Sequence, residues 1–212
     1  PKVKRLLRSF RTWERYPDGG AVSLRQSLAR RLRVEPERIL IGAGSDEIGD
    51  FLARAYLRPN DAMVYPEYTF IRYAMSAQAS GARRIATPVG ADFAVDLGAL
   101  IRAVRRIRPK MVCVANPNNP TGVMLNRRDL ESLLKILPAR TMLVLDEAYF
   151  EYARETEGYP DGIHYLKRHP NLVVLRTFSK IHGLASLRIG YAVAHPSIIT
   201  ERIPQRIARR MR

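Results

Sequence analysis

The chain has 212 residues, with 36 Lys+Arg against 20 Asp+Glu and a net charge of +16. Hydrophobic residues make up 46% and charged residues 26%, which is the usage of a globular domain and excludes a disordered chain. One cysteine, Cys113, excludes an internal disulfide and agrees with a reducing cytoplasm, and no apolar stretch approaches the roughly 20 residues of a membrane-spanning helix.

The opening segment, Pro1-Lys2-Val3-Lys4-Arg5, leads into no signal-peptide core. No initiator Met is present, so the chain is expected not to be the complete translated product. Further along, short β-rich apolar runs at 62–65, 83–88, 111–115, 142–145, 172–176 and 190–194 predict strands. Several are continuously hydrophobic, as strands covered on both faces must be. Periodic segments at 46–57 and 127–137 predict helices, each with an acidic or small polar residue near its start. This alternation argues for an α/β fold with a mainly parallel sheet. Ligands of such sheets bind beyond the carboxyl ends of the strands.

Four of those positions carry chemistry. Gly42-Ala43-Gly44-Ser45-Asp46-Glu47 is a glycine-containing turn entering a helix, where free N–H groups and the helix dipole favour a phosphate. It fails the dinucleotide fingerprint, which requires Gly where Glu47 stands, and Ser45 as a plain N-cap is an equal alternative. The run from Asn116 to Gly122 is turn chemistry with two prolines, in which Asn119 is either a ligand or only a turn residue. Asp146 ends a strand expected to be buried, where a carboxylate needs a cationic partner unless it only caps a helix. Lys180 follows Thr177-Phe178-Ser179, where a partly desolvated ammonium becomes an amine nucleophile. Thr177, Ser179 and Arg188 offer donors to a phosphate. The competing reading is a surface turn with Arg188 in a salt bridge. Tyr68 and Tyr149 are half-buried aromatics on the same terms. His164, His169, His182 and His195 show no metal-ligand spacing and are read as surface or packing residues.

In combination and in this order, these residues resemble the pyridoxal 5′-phosphate (PLP) dependent aminotransferases of fold type I, most of all the histidinol-phosphate aminotransferase family. The likeness rests on Arg15-Tyr16-Pro17-Asp18-Gly19, Gly44-Ser45-Asp46-Glu47, the run 116–122, Asp146-Glu147-Ala148-Tyr149 and the run 176–190, and departs at Ser186, where a glycine is expected. It implies an α/β large domain with a mainly parallel seven-stranded sheet flanked by helices. That PLP-binding domain covers 1–198 and is incomplete at its N-terminal side. The basic tail 199–212 stands where an interdomain helix and small domain would follow, and Pro204 is awkward for such a helix. The resemblance makes Lys180 the catalytic lysine that carries the cofactor. It sets Asp146 against the pyridine nitrogen, Tyr149 and Asn119 on the ring hydroxyl, and Tyr68 on the ring face. Gly44, Ser45 and Asp46, with Thr177, Ser179 and Arg188, hold the phosphate, and Tyr16 reaches the phosphate of a partner subunit in a homodimer. No metal is implied. The arginine that grips the substrate carboxylate belongs to the C-terminal domain, and no residue here is assigned to it.

The implied reaction is transamination of histidinol phosphate with 2-oxoglutarate in histidine biosynthesis, by a cytoplasmic enzyme with small-molecule amino and keto acid substrates. A PLP-dependent decarboxylase of an amino-acid phosphate, like threonine-phosphate decarboxylase, shares every cofactor residue. A non-catalytic, basic nucleic-acid-binding protein is the alternative from another class. Against it, the 27 residues of 1–15 and 201–212 carry +9 of the charge, and no run of five like charges lies between them. The expected partners therefore include neither nucleic acid nor membrane.

Overall fold

The computed structural model describes residues 2–11 and 13–202. The tail beyond 202, with Pro204, lies outside the described residues, and Ser197–Arg202 before it forms a π-helical turn. Seven strands form one sheet: β1 (Ile39–Gly42), β2 (Ala62–Pro66), β3 (Arg83–Thr87), β4 (Met111–Ala115), β5 (Met142–Asp146), β6 (Leu172–Thr177) and β7 (Gly190–Ala194). Their spatial order is β1-β7-β6-β5-β4-β2-β3. All neighbours pair in parallel except β7, which runs antiparallel to both β6 and β1. The mainly parallel sheet expected from the sequence is thus present. The strand that the alternation missed is β1, whose four residues, Ile-Leu-Ile-Gly, are shorter than the usual strand and merge into the glycine turn.

The helices are α1 (Lys2–Ser9), α2 (Val22–Leu32), α3 (Ser45–Tyr56), α4 (Arg72–Ala79), α5 (Leu97–Ile107), α6 (Arg127–Ile136) and α7 (Phe150–Ala153). The two predicted helices are α3 and α6, each within one residue of expectation at either end. Helix α6 starts because Asn126 accepts the Asp129 N–H, and α5 because Asp96 accepts that of Ala99.

Side chains alternate across each strand, so the core divides in two. Met111, Cys113, Val144, Val173, Leu175 and Ala192 meet Ile48 and Leu52 of α3 and Tyr73 and Ala77 of α4 on one face. On the other, Val112, Val114, Leu143, Leu145, Leu172, Val174 and Val193 meet Leu100 and Val104 of α5 and Leu130 and Leu133 of α6. Strand β3 is an edge and is mostly exposed, with Arg83 and Arg84 as the charged residues that such edges tolerate.

The reversed direction of β7 matters for the site. Its first residue, Gly190, lies at the same sheet end as the last residues of β5 and β6, so Arg188 is delivered there too. A Cβ on Gly190 would collide with the Ser45 amide nitrogen and the Gly44 carbonyl carbon, so α3 can enter this close only over a glycine. Gly190→Ala should lower the unfolding free energy by more than about 2 kcal/mol in urea titrations. Gly49→Ala, inside α3 with its nearest neighbour 4.0 Å from the added carbon, should raise it by about 0.5–1 kcal/mol.

Candidate active site

A cavity of about 170 Å³ opens at this sheet end. Its lining comes from five connections: Gly44, Ser45 and Asp46 after β1, Phe70 after β2, Pro117 and Asn119 after β4, Ala148 and Tyr149 after β5, and Ser179, Lys180 and Arg188 between β6 and β7. Ala115, Asp146 and Thr177, the last residues of their strands, complete it. Ten of the twelve residues singled out in the sequence therefore converge on one space.

Asp146 is the buried member. Its carboxylate accepts the Tyr73 hydroxyl at 3.0 Å and the Ala148 N–H at 3.1 Å. Burial pushes its pKa up to about 6, against the pull of those two donors. Among the described residues no salt bridge reaches Asp146; the Lys180 ammonium, in the same cavity lining, lowers its pKa only from a distance.

Lys180 stands at the mouth of the cavity, with Nζ 4.9 Å from the centre of the Tyr149 ring. Contrary to expectation it is exposed, because it lies three residues past the end of β6 on an open turn. The turn itself is fastened by Thr177, whose Oγ1 lies 3.0 Å from Ser179 Oγ and accepts the Ser179 N–H at 3.1 Å.

The N-terminus of α3 faces the same space. Gly44 is its N-cap, in a left-handed conformation (φ 86°) and with no side chain to offer the first-turn N–H groups. Ser45 is therefore the first helical residue, not the cap. A Cβ at Gly44 would stand 2.9 Å from Arg188 Nη2, so the guanidinium lies directly over this turn. The Asp46 carboxylate is already engaged by Arg72, Nε to Oδ1 2.7 Å, which leaves its backbone N–H as the group for an anion.

The three asparagines of the 116–122 turn divide their work. Asn116 accepts the Leu125 N–H and donates to the Leu125 carbonyl, and Asn118 donates to the Tyr68 carbonyl and to Thr121 while accepting the Thr69 hydroxyl. Among the described residues Asn119 has no such structural bond, and it lines the cavity. Both prolyl bonds of the turn, before Pro117 and Pro120, are cis.

Two of the expected residues lie elsewhere. Tyr68 is not in the cavity lining: it is 61% exposed and packs edge-on against Phe93. The aromatic that lines the cavity is Phe70, two residues on, which also packs edge-on against Tyr73. Tyr16 is 99% exposed and outside the cavity. The residue reading also missed Tyr73, because a phenol 73 residues from its carboxylate leaves no local spacing to detect. It gave no role to the buried ion pair behind the site either, Arg176 with Glu147 and Asp161, both at 2.7 Å.

The model for class I and II aminotransferases matches residues 1–211. The chain belongs to that family. The histidinol-phosphate aminotransferase of Pelagibacter ubique is 42% identical over 201 residues, which are 94% of this chain and 55% of that protein. Among solved structures, the histidinol-phosphate aminotransferase of Sinorhizobium meliloti in complex with pyridoxal-5′-phosphate superposes with a TM-score of 0.81 at 34% identity, covering 86% of this chain and 49% of the other. The L-threonine-O-3-phosphate decarboxylase of Porphyromonas gingivalis superposes with 0.77 at 27% identity, over 98% and 61%. The chain spans about half the length of the curated relatives it matches. Among the described residues of this aminotransferase chain, no helix is long and apolar enough to cross a membrane, and no cluster of His, Cys, Asp or Glu has the makings of a metal site.

The raised pKa of Asp146 has a stability consequence. An acid whose folded pKa, about 6, exceeds its unfolded value of 3.8 favours folding when protonated. Its contribution is fully present below 3.8 and is lost as the pH rises through 6. Asp146→Asn removes this titration. In urea unfolding of the cofactor-free protein, the stability of wild type relative to Asp146→Asn should therefore fall by on the order of 3 kcal/mol between those limits. A flat difference across the window would show that Asp146 is not desolvated.

Proposed function

We propose that the cavity binds PLP and that this chain is the cofactor domain of a transaminase for histidinol phosphate and 2-oxoglutarate. The observation that carries this reading is the convergence on one cavity of a buried acid that no salt bridge reaches among the described residues, an exposed amine and a helix N-terminus with no side-chain cap. These are the three groups that a protonated ring nitrogen, an aldehyde and a phosphate each require. The name of the Sinorhizobium relative, solved with PLP, supports the same cofactor.

When bound, PLP supplies an electron sink for the negative charge that develops at the substrate α-carbon. Asp146 would hold the proton of the ring nitrogen in place, and that nitrogen would in turn stabilise the ionised, buried carboxylate. Tyr149 and Asn119 would donate to the ring hydroxyl, and Phe70, the aromatic residue of the β2 connection that lines the cavity, would lie against the ring. The α3 N–H groups of Ser45 and Asp46, the hydroxyls of Thr177 and Ser179 and the Arg188 guanidinium would hold the phosphate. Lys180 Nζ would hold the cofactor covalently, and its amine, when free, would move the proton of the substrate α-carbon, acting as base and acid in turn. Imidazole acetol phosphate and glutamate are the products of the two half-reactions.

The exposed Tyr16 fits a role on the phosphate of a second subunit, and we infer a homodimer with shared sites. The buried, unpaired Cys113 agrees with a cytoplasmic location. We assign the domain to 1–198 and the start of the interdomain connection to the residues that follow. The similarity to threonine-phosphate decarboxylase favours a second reading on the same cofactor residues; assaying glutamate formation against CO2 release separates the two.

Wild-type protein incubated with PLP should keep about one equivalent of cofactor absorbance through desalting, and borohydride should fix it to the peptide containing Lys180. Lys180→Ala should keep none. A wild type that loses all its cofactor on the column, or label fixed at another lysine, would contradict the reading.

A further inference from the structure

The pleat of β5 and β6 separates two sets of groups at the same strand ends. Met142, Val144, Val173 and Leu175 lie on the α3/α4 side of the sheet, and Asp146 and Thr177 continue that side into the cavity. Leu143, Leu145, Leu172 and Val174 lie on the α5/α6 side, and Glu147 and Arg176 continue that one. Immediately behind the cavity, therefore, each strand places a charged residue next in sequence to a cavity residue.

Arg176 is only 3% exposed and Glu147 is completely buried. Arg176 Nε and Nη2 donate to Glu147 Oε2 at 3.0 and 2.7 Å, and Nη2 also donates to Asp161 Oδ1 at 2.7 Å. The guanidinium carbon sits 3.4 Å from the centre of the Phe150 ring. Glu147 Oε1 in turn accepts the Gly162 N–H at 2.8 Å, and the Glu147 N–H extends the β5/β6 ladder by one bond to the Leu175 carbonyl. Both charges lie in a dry interior, where a pair of this kind is at best weakly stabilising compared with an apolar replacement. A fixed geometry is a better account of it than stability.

We propose that Arg176 is a positioning residue: its guanidinium clamps the strand end carrying Asp146 to the strand end leading to Lys180, and so fixes the separation of the carboxylate and the amine. This inference rests on the PLP reading for its purpose and on the chain alone for its geometry. Lysine keeps the charge but lacks the planar fork that spans two carboxylates while lying flat on a ring. Arg176→Lys should therefore loosen the clamp, whereas Leu130→Ala, at a fully buried core position in α6, lowers stability without touching it.

Two measurements separate positioning from plain stabilisation. In the cofactor-free protein, hydrogen exchange should quicken at least about tenfold at the Ala148 and Ser179 amides in Arg176→Lys compared with Leu130→Ala, at matched loss of melting temperature. These amides are held by Asp146 and Thr177, the two residues the clamp sets. With PLP, the dissociation constant read from bound-cofactor absorbance should rise by about 10- to 100-fold in Arg176→Lys and less than about twofold in Leu130→Ala. Equal exchange at the two amides in both variants, or equal cofactor affinity, would overturn the proposal. Failure of the wild type to take up PLP would overturn the cofactor reading alone, because the exchange comparison still decides whether the clamp exists.

Discussion

Ionising a carboxylate at the buried end of a central strand is unfavourable unless donors or a cation replace the water it has lost. Asp146 meets this constraint only in part. Tyr73 and the Ala148 N–H reach it, yet its pKa remains raised to about 6. The surroundings follow from that position. The central place of β5 in the sheet buries it, α4 brings the phenol, and the turns after β4, β5 and β6 form a cavity over it. A protonated ring nitrogen placed there would stabilise the ionised acid, which is why the chemistry of PLP fits this end of the sheet.

The remaining geometry serves delivery. Reversal of β7 brings Arg188 to the end of the sheet that otherwise receives only the exits of parallel strands, and Gly190 lets the start of α3 lie against it. Anion-binding groups thus come from two sides of one turn, the helix N–H groups and a guanidinium. Behind them, a buried ion pair joins β5 to β6 on the opposite face of the sheet. The alternation of a strand makes this division possible: neighbouring residues can serve chemistry on one side and geometry on the other.

Much of this was legible in the sequence, for physical reasons. Strands β4 to β7 are short apolar runs ending at polar residues, so both their existence and the position of their chemistry could be read directly. Asn119, Asp146, Thr177 and Lys180 follow such runs, and all four line the cavity. What escaped depends on tertiary contacts. Phe70 and Tyr68 are both aromatic and two residues apart, and nothing in their spacing tells which one lines the cavity. Tyr73 and Arg176 have partners far away in sequence. The exposure of Lys180 is not legible either, because the burial of a strand does not extend three residues into the turn beyond its end. Of the +16 charge, +9 belongs to residues 1–15 and 201–212, and within the sheet domain the Arg188 guanidinium, in no salt bridge among the described residues, lies over Gly44 at the cavity.

The central claim is that Asp146 keeps a pyridine nitrogen protonated inside this cavity. The nitrogen chemical shift of ring-labelled PLP bound to the wild-type chain tests it most directly. At neutral pH the account predicts the shift of a protonated pyridine nitrogen in the wild type, moving to that of a neutral ring in Asp146→Ala. A neutral ring in the wild type, or a protonated one that survives the loss of Asp146, would contradict it.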